Sequence, residues 1–109
     1  MSNLKTDLAG NKFWYNDNGQ LHREDGPAIE YADGYKTWYL NGKLHREDGP
    51  AQEYYNGNKF WYLYGILHRE DGPAIELADG SKYWYYHDKE ISCKTNEEFL
   101  KLIKLKAFW

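Results

Sequence analysis

Three histidines, each followed by arginine, glutamate and aspartate, are the residues of this chain best suited to chemistry. The octapeptide LHREDGPA occupies residues 21–28 and returns unchanged at 44–51 and 67–74, a spacing of 23 residues each time. Imidazole and carboxylate groups bind zinc and other divalent ions, and they also act as general acids and bases. The motif therefore raises two hypotheses in each of its copies, a metal site and a catalytic site.

Strand geometry and turn chemistry favour a structural role for this motif. Successive side chains of an extended segment point to opposite sides, so the histidine and glutamate of one copy would meet only with special turn geometry. Aspartate and glutamate cap turns and pair with arginine, and Gly-Pro fixes the direction of the backbone. We therefore predict no metal ligand and no catalytic residue here. The residues interpreted as building the repeat are His22, Arg23, Asp25, His45, Arg46, Asp48, His68, Arg69 and Asp71.

Other catalytic signatures do not occur in the sequence. It has no nucleophile elbow, no phosphate-binding glycine loop and no zinc-ligand spacing. The glycines lie in turn pairs such as Asn41-Gly42 and Asp79-Gly80 rather than in front of a helix. We therefore expect a protein that is not an enzyme and that needs no cofactor.

The motif separates aromatic segments that we predict to be the strands of an all-β repeat domain. Lysine, tryptophan and tyrosine recur in four copies, each after a glycine, and pairs that favour two-residue hairpin turns lie between the segments. In the third copy this predicts strands over 50–55 and 58–63 and a short strand-like segment over 66–69. The period of 23 residues predicts a ladder of antiparallel hairpins, because no hairpin buries its face without its neighbours.

A helix is predicted after the last hairpin. Thr95 and Glu98 have the spacing of a capping box, and an apolar stripe follows at Phe99, Leu102, Ile103 and Trp109. A repeat array needs its open end covered, so we expect this helix to dock there. The predicted single domain over 1–109 thus comprises a lead-in, hairpin repeats and a capping α-helix, at residues 1–8, 9–92 and 95–106.

Alternation along the tryptophan strand assigns its two sides. Trp38 and Leu40 point one way, and Tyr35, Thr37 and Tyr39 point the other way. Because tryptophan is the same in every copy, we predict that its side is the packed core, formed by Trp14, Trp38, Trp61 and Trp84. The other side carries a ladder of tyrosines and is either covered or a broad exposed surface.

Aromatic positions that change between copies are the stronger candidates for recognition, because the repeat does not demand them. Tyrosine and tryptophan anchor protein interfaces and stack on sugars or bases, although stacking within the sheet is the plainer interpretation. Together with members of the tyrosine ladder, the candidate binding residues are Tyr31, Tyr35, Tyr39, Gln52, Tyr54, Tyr55, Tyr62, Tyr64 and Tyr86.

Charge and hydropathy argue against several partners and locations. A net charge of −3 without a basic cluster disfavours nucleic acid and anionic membranes. No apolar run approaches the about 20 residues that span a bilayer, and the first residues do not have the pattern of a signal peptide. The single cysteine, Cys93, fits a reducing compartment. We therefore expect a soluble cytoplasmic protein.

The repeat resembles two known groups of proteins. Residues 38–45, followed by 53–57, resemble the variant MORN (membrane occupation and recognition nexus) repeat of bacteria, with Arg-Glu-Asp-Gly-Pro-Ala in place of a simple glycine. More closely, the HREDGPA repeat with its terminal EEFLKLIKLKAFW looks like small repeat proteins of tailed bacteriophages and bacteria, over residues 9–109. The resemblance implies a hairpin ladder in one elongated sheet and carries no chemistry. A weaker likeness is to secreted choline-binding repeats.

The resulting hypotheses belong to different functional classes. The leading hypothesis is a non-enzymatic protein-binding module, namely a phage-encoded inhibitor of a host immune protein complex in the host cytoplasm. One alternative is a binder of a nucleotide signal or a sugar between aromatic rows, and another is a structural component of the virion. Uncovered edge strands at the N-terminal end would also permit homo-oligomers.

Overall fold

The computed structural model describes residues 3–105 and shows short antiparallel strands followed by one helix. Nine strands form one sheet in the order β1-β2-β3-β4-β7-β8-β11-β12-β13, while β5–β6 and β9–β10 are separate two-stranded hairpins. This confirms the predicted all-β class with a C-terminal helix. The elements are β1 (Asn3–Thr6), β2 (Lys12–Tyr15), β3 (Ile29–Glu30), β4 (Lys36–Thr37), β5 (Tyr39–Leu40), β6 (Lys43–Leu44), β7 (Gln52–Glu53), β8 (Lys59–Phe60), β9 (Tyr62–Leu63), β10 (Ile66–Leu67), β11 (Ile75–Glu76), β12 (Lys82–Tyr86), β13 (Lys89–Ile91) and α1 (Asn96–Lys104).

The strand predicted over 58–63 and its equivalent in the second copy are interrupted at the tryptophan. Trp61 separates β8 from β9, and Trp38 separates β4 from β5. The backbone changes partner there: the Trp38 N–H donates to the Ala51 carbonyl at 2.7 Å, and the Trp38 carbonyl accepts the His45 N–H at 3.0 Å. Each such unit therefore gives two strands to the large sheet and then turns out of it into a small hairpin.

Residues 3–6 form β1 and pair with β2, which corrects the interpretation of this segment as a lead-in. Lys5 lies opposite Phe13 in the way that Ile29 lies opposite Thr37 one unit later. The segment therefore pairs with β2 in the same antiparallel way as β3 pairs with β4. Its composition conceals this, because polar residues replace the apolar ones at an edge of the sheet.

The histidines of the motif join each unit to the next. His22 Nδ1 accepts the backbone N–H of Asn41 at 2.9 Å, and the Gly42 N–H donates to the Leu21 carbonyl at 2.8 Å. We call this pair of hydrogen bonds the histidine latch. The same latch joins His45 and Leu44 to Tyr64 and Gly65, and His68 and Leu67 to His87 and Asp88. It satisfies the N–H groups of one turn with acceptors of the preceding unit.

Each latched turn has a left-handed backbone. Asn41 and Gly42 have φ of 48° and 81°, as a type I′ hairpin turn requires. The third unit places Tyr64 at φ 48°, where an ordinary side chain costs roughly 1–2 kcal/mol. The latch to His45 Nδ1 holds this conformation, and the two rings also lie 4.0 Å apart.

The arginine of the motif fixes the corner between hairpins. The Arg46 guanidinium lies over the Trp38 ring at 3.9 Å and donates to Asp48 at 3.0 Å, to the Pro50 carbonyl at 3.1 Å and to Glu53 at 3.0 Å. Charge-assisted bonds of this kind are stronger than neutral ones, and the planar group also stacks on the indole. Arg23 and Arg69 make the same set of contacts.

These arginines, rather than a second apolar layer, cover the first three tryptophans. Trp14, Trp38 and Trp61 are only half-buried, so the prediction of a core on the tryptophan side is wrong for these copies. The most enclosed positions of the repeats are instead the motif alanines Ala28, Ala51 and Ala74, each 0% exposed. Alternation shows which side chains share a side, but it does not show what covers that side.

The fourth tryptophan has no following motif and is covered by α1. Trp84 is buried, and its Nε1 donates to Asn96 Oδ1 at 2.8 Å. Phe99 of the helix packs beside it with Ile91, and Phe99 is fully buried. The helix thus closes this end of the array by covering the ring that an arginine covers elsewhere.

The start of α1 follows the predicted cap. Thr95 Oγ1 accepts the Glu98 N–H at 3.2 Å, whereas the Glu98 carboxylate reaches the Lys94 N–H at 3.2 Å. The helix ends at Lys104, and both the predicted end at residue 106 and Trp109 lie outside the described residues. Between residues 3 and 105, no helix is long and apolar enough to cross a membrane.

Candidate binding face

The histidines and carboxylates of the motif already make contacts within the fold. His45 Nδ1 belongs to the latch, its Nε2 lies 3.6 Å from Glu47, and Asp48 is bonded to Arg46. Within residues 3–105, no group of three His, Cys, Asp or Glu is placed to hold a metal ion. Two open grooves of about 690 and 700 Å³ lie between successive corners, and their arginines already have partners.

The large sheet has one charged side. Directly opposite residues on paired antiparallel strands point to the same side, and opposite charges there contribute about 0.2–1 kcal/mol per pair. Lysine and glutamate alternate across the sheet, so each charge faces its opposite. The row is Lys12, Glu30, Lys36, Glu53, Lys59, Glu76 and Lys82.

The other side of the sheet carries no charge between its two ends. Its central row, in the same registers, is Phe13, Ile29, Thr37, Gln52, Phe60, Ile75 and Tyr83. Positions two residues away along each strand fall on the same side. They flank the row with Tyr31, Tyr35 and Tyr54 on one edge and Tyr85 on the other. Tyr39 and Tyr62 lie just beyond the interruption at the tryptophan, and both interact electrostatically with Tyr54. We call this set of side chains the tyrosine face.

Five rings of the tyrosine face form a continuous stack. Tyr31 and Tyr35 are parallel, with ring centroids 5.2 Å apart, and Tyr35 and Tyr54 are parallel at 4.1 Å. Phe13 and Phe60 meet the two ends edge-on, at 6.0 and 5.8 Å. Such pairs contribute about 0.5–1.5 kcal/mol each beyond the area they bury. Each ring of the stack is therefore in contact with at least one neighbouring ring.

The hydroxyls of the tyrosine face lie close enough to influence one another. Burial raises the pKa of Tyr35, the neighbouring Tyr54 raises it further, and a 3.0 Å hydrogen bond from Gln52 Nε2 offsets part of the increase. Burial also raises the pKa of Tyr39, with smaller contributions from Tyr31 and Tyr54. These phenols stay neutral at physiological pH, and their hydroxyls can donate and accept hydrogen bonds.

Two polar residues interrupt the centre of the tyrosine face. Thr37 stands where the other units have phenylalanine or tyrosine, and Gln52, directly opposite it, stands where the neighbouring units have isoleucine. Thr37 is 2% exposed, and among the described residues its hydroxyl finds no hydrogen-bond partner. A buried hydroxyl without a partner is destabilising, so the fold does not explain this substitution.

Replacing Thr37 with valine is expected to stabilise the protein by about 1 kcal/mol, because valine keeps the shape and removes the unpaired hydroxyl. Urea unfolding followed by tryptophan fluorescence measures the change. Thr6→Val is the matched control, since Thr6 is exposed on β1 and should change stability little. A lower stability for Thr37→Val would mean that the hydroxyl has a partner after all.

The structure divides the tyrosines and Gln52 predicted to bind a partner into three groups. It brings Tyr31, Tyr35, Gln52 and Tyr54 into the contacts given above, and it places Tyr39 and Tyr62 close enough to interact electrostatically with Tyr54. Tyr55 and Tyr64 lie in turns, 78% and 60% exposed, and do not join the stack. Tyr86 is buried in the cluster beneath α1 and is unavailable to a partner, which corrects its assignment.

Phe13 and Phe60 are part of the site although they were not predicted. They occupy the position of Thr37 in neighbouring units, so alignment of the copies along the sheet would have identified them.

The chain matches no family model, no curated protein and no solved structure.

Proposed function

We propose that the protein is a non-enzymatic module that binds another protein through the tyrosine face. The observation that carries the proposal is the stack of five rings from Phe13 to Phe60 on an uncharged side of the sheet. Interface cores are depleted in charge and enriched in aromatic residues. Tyrosine in particular supplies a large, rigid contact area at a low entropic cost.

The spacing of the rings favours a protein over a small planar ligand. A ring inserted between Tyr35 and Tyr54 would need about 7 Å, which is two van der Waals separations, whereas the centroids are 4.1 Å apart. A nucleotide or sugar would have to lie on top of the stack and leave most of it uncovered. A protein surface can cover the whole face.

A host immune complex as the partner and the phage origin rest on the resemblance of the HREDGPA repeat, and both stay predictions. The cytoplasmic location rests on the hydropathy, the first residues and the single cysteine, and it also stays a prediction. The alternatives, a sponge for a nucleotide signal or sugar and a virion component, also stay hypotheses. Calorimetry against nucleotide and glycan panels and mass spectrometry of purified particles distinguish them.

Affinity purification of the tagged chain from a cell lysate tests the proposal. Tyr54→Glu places a charge in the stack and is expected to weaken capture of a specific partner by at least about 30-fold, as at a hot spot. Tyr55→Glu is the matched control, because the neighbouring side chain lies in a turn and outside the stack. Circular dichroism verifies that both variants fold. The proposal would be refuted if the chain captured no specific partner at micromolar concentration and also did not associate with itself, or if both variants captured the partner equally.

A further inference from the structure

We propose that the partner that the tyrosine face fits is a second copy of this chain, packed face to face about a two-fold axis that runs along β7. The inference rests on the proposed function, because it names the occupant of the same face. A sheet with an uncharged side must bury that side against another element, and domains normally supply a second layer for this. Among residues 3–105, α1 covers only the end of the sheet, at Trp84.

The dimensions of the molecule suit such an interface. The described chain measures 48 × 31 × 17 Å, so it is broad and thin. An outline of 48 × 31 Å leaves room for the about 800 Å² that each partner contributes to a stable interface. Two sheets packed face to face lie about 10 Å apart, close enough for their side chains to interdigitate.

The order of strands makes the face self-complementary about this axis. β7 is the central strand of the nine, so the rotation places β1 over β13, β2 over β12 and β4 over β8. Such a two-fold interface uses the same patch on both copies. Along the central row, Phe13 would meet Tyr83 of the second copy. Ile29 and Thr37 are 7% and 2% exposed, so the chain itself already covers them and they would lie beneath the contact rather than in it.

Gln52 lies on the proposed axis and would meet Gln52 of the second copy. Its amide nitrogen gives one hydrogen to Tyr35 Oη at 3.0 Å. The second N–H and the carbonyl can form a reciprocal amide pair, because each copy offers the group that the other needs. A single polar residue in an apolar interface can fix its register at some loss of stability. This explains a glutamine where the neighbouring units have isoleucine.

The charges at the two ends of the face select the direction of packing. Lys5 lies opposite Phe13 at the β1 end, and Glu90 lies opposite Tyr85 at the β13 end. Asp7 is also near the β1 end, but its carboxylate accepts hydrogen bonds from Ala9 and Asn11 within its own turn. The proposed axis brings Lys5 of each copy towards Glu90 of the other. A parallel arrangement would place like charges together.

Asp88 adds to the negative end of the tyrosine face. It contributes to a raised pKa of Tyr62 and, together with Glu90, to that of Tyr85, in each case after the larger effect of burial.

Edge pairing of the β1 strands of two copies would be a different dimer. It is less favoured, because the strand has four residues and carries Lys5, and short charged edges resist pairing.

Analytical ultracentrifugation from about 1 µM to about 1 mM tests the proposal, and we expect a monomer–dimer equilibrium with Kd in the micromolar range. Lys5→Glu and Glu90→Lys should each weaken the dimer by about 10-fold, because each reverses two symmetric attractions. The double variant should restore the wild-type Kd. Lys43→Glu, which changes an exposed residue of β6 off the face, is the matched control and should leave Kd unchanged.

A second variant tests the centre of the interface. Gln52→Glu places two like charges at the axis and should abolish the dimer, whereas Gln52→Ile uses the residue of the neighbouring units and should fold normally. A chain that stays monomeric throughout, or a double variant as weak as the single changes, overturns the proposal. If the chain is monomeric but captures another protein, and Tyr54→Glu loses that protein, the dimer is refuted and the proposed function stands. If the chain is monomeric and captures no partner, both the dimer and the proposed function are refuted.

Discussion

Replacing Arg46 with alanine is expected to lower the free energy of unfolding by about 3 kcal/mol. The change removes a guanidinium that stacks on Trp38 and bonds Asp48, Pro50 and Glu53. It leaves the Pro50 carbonyl and the Glu53 carboxylate, both partly buried, without this donor. Urea unfolding followed by tryptophan fluorescence measures the loss, and Trp38 should also become more exposed to acrylamide.

Arg46→Lys separates charge from shape in this prediction. Lysine keeps the positive charge but lacks the planar fork, so we expect it to recover less than half of the loss. Gly49→Ala provides an independent check, because a Cβ there would come within 2.8 Å of Arg46 Cζ and displace a group that several bonds hold in place. If Arg46→Lys were as stable as the wild type, net charge and not the corner geometry would be responsible.

His45→Ala is the second substitution from which we expect a large effect, also about 3 kcal/mol of destabilisation. His45 is buried, and its Nδ1 is the acceptor for the Tyr64 N–H of the next unit. Removing the ring leaves a cavity and an unpaired donor in a turn whose left-handed backbone depends on the latch. Urea unfolding measures the loss of stability.

His45→Asn tests whether the acceptor itself matters. The asparagine Oδ1 can take the place of Nδ1, so this variant should be about 1 kcal/mol more stable than His45→Ala. Hydrogen exchange supplies a local measurement: the Tyr64 amide should lose protection in the alanine variant and keep part of it in the asparagine variant. Equal protection in both would show that the ring acts only by filling space. In the fourth copy, Ile91 occupies the position of the latch histidine. No further unit follows this copy, so no latch is needed there.

The hairpins and their turns were predictable because glycine, asparagine and aspartate mark left-handed positions locally, as at Asn41-Gly42. The change of partner at Trp38 was not predictable from alternation. Alternation reports which residues share a side, but it does not report which strand accepts each hydrogen bond. The stacking of Arg46 on Trp38 was not predicted for a related reason. In the sequence, Arg46 looks like an ordinary surface charge, although in the fold its guanidinium lies against the ring and is held at the corner by hydrogen bonds.

The tyrosine face was partly predictable. Tyr35 and Tyr54 stood out because their positions vary between copies, and the registers bring them together. Tyr86 looked equivalent by the same criterion, but α1 packs over it. Contacts between a helix and a sheet cannot be inferred from the local sequence pattern. The importance of Thr37 and Gln52 appears only when the copies are compared across the strand pairings rather than along the chain.

The histidine latch also determines how the length of this molecule can change. On the side of the turn it uses only backbone N–H groups, and Asn41, Tyr64 and His87 serve equally well as the latched residue. Neighbouring units therefore join through the same bonds whatever the turn carries. Adding or removing one whole unit would lengthen or shorten the sheet by about 10 Å, which is two strand spacings, without a new joint. The number of units thus sets the length of the sheet, and duplication of one unit within the gene would lengthen the tyrosine face by a fixed amount.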